Sequence, residues 1–134
     1  MSTETPSNRG VASVTSAFSF ADTVQRLQAT FAEHGIKVFA TIDQQAEAAA
    51  AGLTMPPTTL IIFGNPKGGT LLMLARPASG IDLPLKVLVL GEPDGRVSVV
   101  FNTVDYLIER HGLPQESVAN IAPAIALIEK TVAR

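Results

Sequence analysis

Cysteine is absent from all 134 residues. That one absence excludes disulfides, thiolate zinc sites, iron–sulfur ligation and thiol nucleophiles together. Charge is scarce as well, with 16% of residues ionised and a net charge of −2. So weak a balance leaves no electrostatic footprint for nucleic acid or for an anionic lipid surface. Neither a nucleic-acid partner nor a membrane partner is expected. No apolar run approaches the roughly 18 residues of a membrane span. The polar opening MSTETPSNRG carries no apolar h-region, so no signal peptide is visible and the expected location is the cytoplasm. Several chemical signatures are missing too: a Gly-rich dinucleotide fingerprint, a P-loop spacing, a G-x-S-x-G elbow and an H-x-x-x-H pair.

What remains is apolar. Alanine, valine, leucine and their like make up 46% of the chain. More surface than usual must therefore be buried or paired: either part of the excess lies in a subunit interface, or abundant Ala and Val alone account for it. The length suits one domain with a real core. We expect a disordered polar tail over 1–10 and a single domain over 11–134, with no repeat and no linker.

Val11–Phe18 reads as a first strand. Ser19, with Asp22 three residues on, reads as a helix N-cap. Phe20, Val24, Leu27 and Phe31 then mark one helix face, which Gly35 ends. Lys37–Ile42 is the next strand, and Asp43 caps a short Ala-rich helix running to Gly52. Pro56 and Pro57 forbid its continuation. Thr58–Phe63 shows no polar alternation, which predicts a strand buried on both faces. After it, Asn65-Pro66 is the order of N-cap and N1. This favours a helix over a hairpin strand for Lys67–Ala75, although Gly68 and Gly69 weaken it. Leu85–Leu90 and Arg96–Phe101 flank Glu92-Pro93-Asp94-Gly95, a type I turn that makes a hairpin. Val104–Arg110 is a short helix. Val118, Ile121, Ile125, Ile128 and Val132 form the stripe of a last one, which Pro123 either kinks or restricts to a start near Asn120. The order β-α-β-(α)-β-(α)-β-β-α-α indicates an α+β sheet with helices on one face.

These segments carry a family resemblance. G-I-K-V-F at Gly35–Phe39, T-I-D at Thr41–Asp43 and A-x-x-A-G ending at Gly52 come first. F-G-N-P at Phe63–Pro66, G-T-x-L-M at Gly69–Met73, I-D-L-P at Ile81–Pro84 and E-R-H-G-L at Glu109–Leu113 follow in order. In these the chain resembles the family called domain of unknown function 302 (DUF302). The resemblance implies a β-α-β(4)-α fold of the TATA-binding-protein-like class and a homodimer. It brings no established activity and no cofactor. Two positions depart from the family pattern: Phe101 stands where Tyr is usual, and Val104 where Pro is usual. A chemistry that used that tyrosine hydroxyl would be closed to this chain, unless Tyr106 supplied another.

Candidate site residues crowd at two breaks. Asn65, Lys67, Gly68 and Gly69 form either an anion-accepting helix N-terminus or a plain tight turn. Asp82 is either a base or ligand-orienting group, or an Asp that satisfies backbone N–H groups in a turn. His34 and His111 each precede a glycine, the place of a C-capping histidine. No ligand spacing accompanies them, so no metal is expected. Arg110 suits an acidic ligand, an opposing subunit or a solvated helix face. Ser79, His111 and Asp82 name a possible triad with no sequence sign that they meet. The leading expectation is a small homodimeric binding or interaction domain, with a pocket for a small polar or anionic molecule near Asn65 and Asp82. The alternatives are an enzyme using Asp82 or Asp43 as acid/base, and a purely structural dimer module. For one shared site, the end of Thr58–Phe63 and the start of Leu85–Leu90 are expected at opposite edges. The two turns then meet only if Lys67–Gly80 folds over the sheet.

Overall fold

The structure, a computed structural model, describes residues 9–134. Strand β1 (Val11–Thr15) is shorter than its apolar run. It stops where the buried Ser16 Oγ meets Thr23 Oγ1 at 2.7 Å and accepts from the Phe18 N–H, turning the chain. Ser19 Oγ accepts from the Asp22 N–H and opens α1 (Phe20–Glu33). Gly35, at φ +68°, follows its end. Then come β2 (Lys37–Asp43), α2 (Gln44–Ala50) and β3 (Thr58–Gly64). The segment after β3 is helical, α3 (Pro66–Ala75), and passes into a 3-10 segment, Pro77–Asp82. The hairpin is β4 (Leu85–Gly91) and β5 (Val97–Asn102). α4 (Val104–His111), a second 3-10 segment (Gln115–Asn120) and α5 (Ala122–Val132) complete the chain. Pro123 lies in the first turn of α5, where its missing N–H has no partner to lose.

The five strands pair antiparallel throughout, in the order β1-β5-β4-β3-β2. Ala12, Val14, Ile61, Phe63, Val87, Val89, Val99 and Phe101 project from one face into the core. Leu27 and Phe31 of α1, and Ile125, Ile128 and Val132 of α5, are buried with them. Phe31 stacks on Phe63 with ring centroids 4.3 Å apart. This is the α+β arrangement with helices on one face.

Three expectations need correction. β3 is not buried on both faces along its length: Ile61 and Phe63 are covered, while Leu60 and Ile62, which point to the opposite face, are only partly buried. A run without polar alternation is thus compatible with an uncovered apolar face. The polar tail lies outside the described residues up to position 8. Gly10, assigned to that tail, is buried: at φ +82° it lies against the Tyr106 ring, and its carbonyl accepts from the Thr103 N–H at 2.8 Å. Finally, the ends of β3 and β4 do not lie on opposite edges. Antiparallel register sets Phe63 across from Leu85. The chain therefore leaves β3 and enters β4 at the same end of the sheet.

Candidate functional site

That register creates a cleft. Asn65 caps α3 by accepting from the Lys67 N–H at 3.0 Å, and Pro66 supplies the first helical φ. Thr70 Oγ1 donates to the Pro66 carbonyl. α3 then stands over the end of the sheet, facing the Leu83–Leu85 entry to β4. Between them opens a cavity of about 280 Å³. Phe39, Leu72, Met73, Pro84 and Ile121 contribute apolar wall, and Asn65, Thr70 and Asn120 add polar atoms. The volume is near the lower end for small-molecule sites, and a mainly apolar wall with few polar groups is their usual form. A second groove of about 380 Å³ lies on the other side of Asn65 and Asn120. Both residues line the two spaces, as do Gly64 and Leu85.

The candidate residues therefore divide. Asn65 lines both spaces, Gly69 the first, and Lys67 and Gly68 the second. Asp82, Arg110 and His111 form a separate group. Asp82 ends the 3-10 segment and His111 ends α4. His111 Nε2 lies 2.6 Å from Asp82 Oδ2, with side-chain exposures of only 8% and 15%. A carboxylate accepts, so this contact puts a proton on Nε2. Arg110 donates to both Asp82 oxygens, at 3.2 and 3.4 Å, and to the Tyr106 hydroxyl at 3.2 Å. Ser79, Asp82 and His111 border a void of only about 10 Å³. Leu72, Leu83 and Ile121 close it and also line the cleft. The ionic group thus sits one side-chain layer behind the cleft wall.

The capping role expected of the two histidines holds for one. His34 Nδ1 lies 2.9 Å from the Thr30 carbonyl oxygen. His111 does otherwise: its ring turns to Asp82, and Gly112 at φ +58° terminates α4. Ser79 Oγ is buried without a hydrogen-bond partner among the described residues. A Ser79–His111 bond, the first requirement of a triad, is therefore not formed. Asp43 accepts from the Ala46 N–H as cap of α2. Phe101 is buried in the core, and Tyr106 provides the hydroxyl beside Arg110. Among the described residues no three His, Asp or Glu side chains gather as a metal would require. Sequence reasoning missed Phe39, Met73 and Asn120. Phe39 and Met73 look like ordinary apolar positions, and only the crossing of α3 over the sheet end makes them walls.

The family model for domain of unknown function DUF302 matches residues 12–131. The chain belongs to the DUF302 family. A DUF302 protein of Bacillus stearothermophilus shares the fold at a TM-score of 0.81 and 19% identity, over 92% of this chain and 98% of that one. Two Brucella proteins are 41% identical over 104 residues, or 78% of this chain. They are fluoride-specific ion channel FluC 1 of Brucella suis and FluC 2 of Brucella melitensis. This chain spans about two-fifths of their length (41% and 38%). No helix among the described residues of this DUF302 domain is long and apolar enough to cross a membrane.

Proposed function

We propose that this DUF302 domain binds a small molecule with an apolar body in the cleft between α3 and the Leu83–Leu85 turn. The carrying observation is the cleft itself: both sequence breaks line one cavity, through Asn65 and Gly69 on one side and Leu83 and Pro84 on the other. Its wall supports an apolar body held by the amides of Asn65 and Asn120. Gly69 supplies the test. A Cβ added there meets nothing within 4 Å, and the residue lines the cavity. Gly69→Phe therefore adds a ring at the cleft wall with no clash at its Cβ, and is expected to obstruct the cleft. Decan-1-ol titrated into 15N-labelled protein should shift the Gly64, Asn65 and Gly69 amides saturably, and Gly69→Phe should abolish this. Absence of saturable shifts in the unsubstituted protein rejects the reading.

We further propose a homodimer through the uncovered sheet face. Ile42, Leu60, Ile62, Leu88, Leu90 and Val100 share that face by register and are only half-buried. In the Brucella channels, we read the matched segment as a domain that works beside the channel rather than forming it. This reading draws on the lack of a membrane-crossing helix among the described residues here.

A second reading, catalysis, draws on Asp82 and His111. A carboxylate and an imidazole in contact can relay a proton. Their adjacency to the cleft through Leu72, Leu83 and Ile121 favours Asp82 over Asp43, which is occupied as a helix cap.

A further inference from the structure

We propose that the ligand is a single-chain anionic amphiphile, with its apolar tail in the cleft and its head beside Lys67. This rests on the cleft being the binding site and adds the ligand's class. Two observations carry it. The cleft and the neighbouring groove share Gly64, Asn65, Leu85 and Asn120, so they lie against each other across one short divide. A ligand longer than the cleft leaves it over Asn65 and Asn120 and enters the groove.

The second observation is charge. Among the described residues no Asp or Glu lines either space, although the chain as a whole is negative. Among the described residues Lys67 and His34 are the only ionisable groups on the two linings, and both are on the groove side. Lys67 makes no ion pair among the described residues that would neutralise it. His34 is tied through Nδ1 to the Thr30 carbonyl, which leaves Nε2 for another partner. An apolar chamber leading to a cationic one matches a molecule with an apolar chain and one negative end. A dianionic polar metabolite lacks the tail, and a neutral hydrocarbon leaves Lys67 unused.

The test compares two ligands of equal chain length, decanoate and decan-1-ol, titrated into 15N-labelled wild type, Lys67→Gln and Gly69→Phe proteins below micellar concentration. Lys67 is exposed, so Lys67→Gln leaves the fold intact. Both ligands should shift the Gly64 and Gly69 amides, and decanoate alone should also shift Lys67 and Gly68. Decanoate should bind about threefold more tightly than the alcohol, the scale of one exposed charge pair. Lys67→Gln should erase that preference without altering binding of the alcohol, and Gly69→Phe should remove both. Equal binding of the two ligands, or a decanoate preference that survives Lys67→Gln, overturns the head-group assignment and leaves the cleft standing. Failure of both ligands to shift Gly64 or Gly69 overturns the cleft as well.

Discussion

Asp82 Oδ2 and His111 Nε2, 29 positions apart in sequence, lie 2.6 Å from each other and join the 3-10 segment Pro77–Asp82 to the end of α4. The contact is largely shielded from water, so removing one partner strands the other. His111→Ala should destabilise the fold by about 2–3 kcal/mol in urea denaturation, mostly from the carboxylate left with Arg110 alone. A change below about 0.5 kcal/mol would show the contact to be incidental.

Ser79 behaves oppositely. Its hydroxyl is buried beside that pair with no partner among the described residues. Ser79→Ala removes an unsatisfied group of nearly the same size, so stability should be unchanged or rise by up to about 1 kcal/mol. A loss of more than 1 kcal/mol would reveal a hydrogen bond to this hydroxyl and strengthen the catalytic reading.

Gly10 and Tyr106 form a second coupled pair. An added Cβ at position 10 runs into the Tyr106 ring, and φ there is +82°. Gly10→Ala should cost about 3 kcal/mol or more, from backbone strain plus overpacking. Part of that cost should vanish in the Gly10→Ala/Tyr106→Gly double variant, because the overpacking is against the Tyr106 side chain, its Cβ included, while the backbone strain is not. Full additivity of the two melting shifts would contradict the contact.

The β4–β5 turn separates conformation from contact. Gly95 has φ +91°, yet its Cβ position is open. Gly95→Val should then cost about 1–3 kcal/mol from backbone strain alone. The neighbouring Asp94 accepts from the Arg96 backbone N–H and then from the Arg96 guanidinium, which hold its carboxyl below the ordinary value of 3.8. A depressed carboxyl stabilises the fold above its unfolded value and ceases to do so as pH falls through its folded value. The melting temperature of Asp94→Ala should therefore lie slightly below wild type at neutral pH, and the gap should close below pH 3.8. A gap independent of pH would assign the difference to something other than ionisation.

The uncovered sheet face should decide assembly. Leu88 lies on the strand between β3 and β5, among the half-buried apolar residues of that face. Sedimentation equilibrium at micromolar concentration should give a dimer for wild type and a monomer for Leu88→Asp. A stable interface buries at least about 1,000 Å², and a charge at its centre is left without a partner. A monomer mass for wild type, independent of concentration, would reject the dimer.

Local chemistry made most elements legible in the sequence. Ser19 and Asp43 act as caps because a short side-chain oxygen can reach an orphan N–H within its own turn. Gly95 and Gly112 end a turn and a helix because their positive φ is a backbone matter, settled by the residue itself. The helical choice after Asn65-Pro66 is of the same kind. What depended on distant pairing was not legible. His111 carries the sequence pattern of a cap, yet the fold brings Asp82 to its ring, and that contact replaces the local one. The apolar run of β3 states that two faces avoid polar residues, but only the placement of α1 and α5 shows which one is covered. The cleft follows from the antiparallel register of β3 and β4 together with the crossing of α3. Register is a property of two strands, and no single segment encodes it. The sequence alone therefore determined most of the elements, the caps and turns that end several of them, and the family. The tertiary structure alone decided that Asn65 and Pro84 share a cavity while Asp82 stands behind its wall, because both facts rest on contacts between segments far apart in the chain.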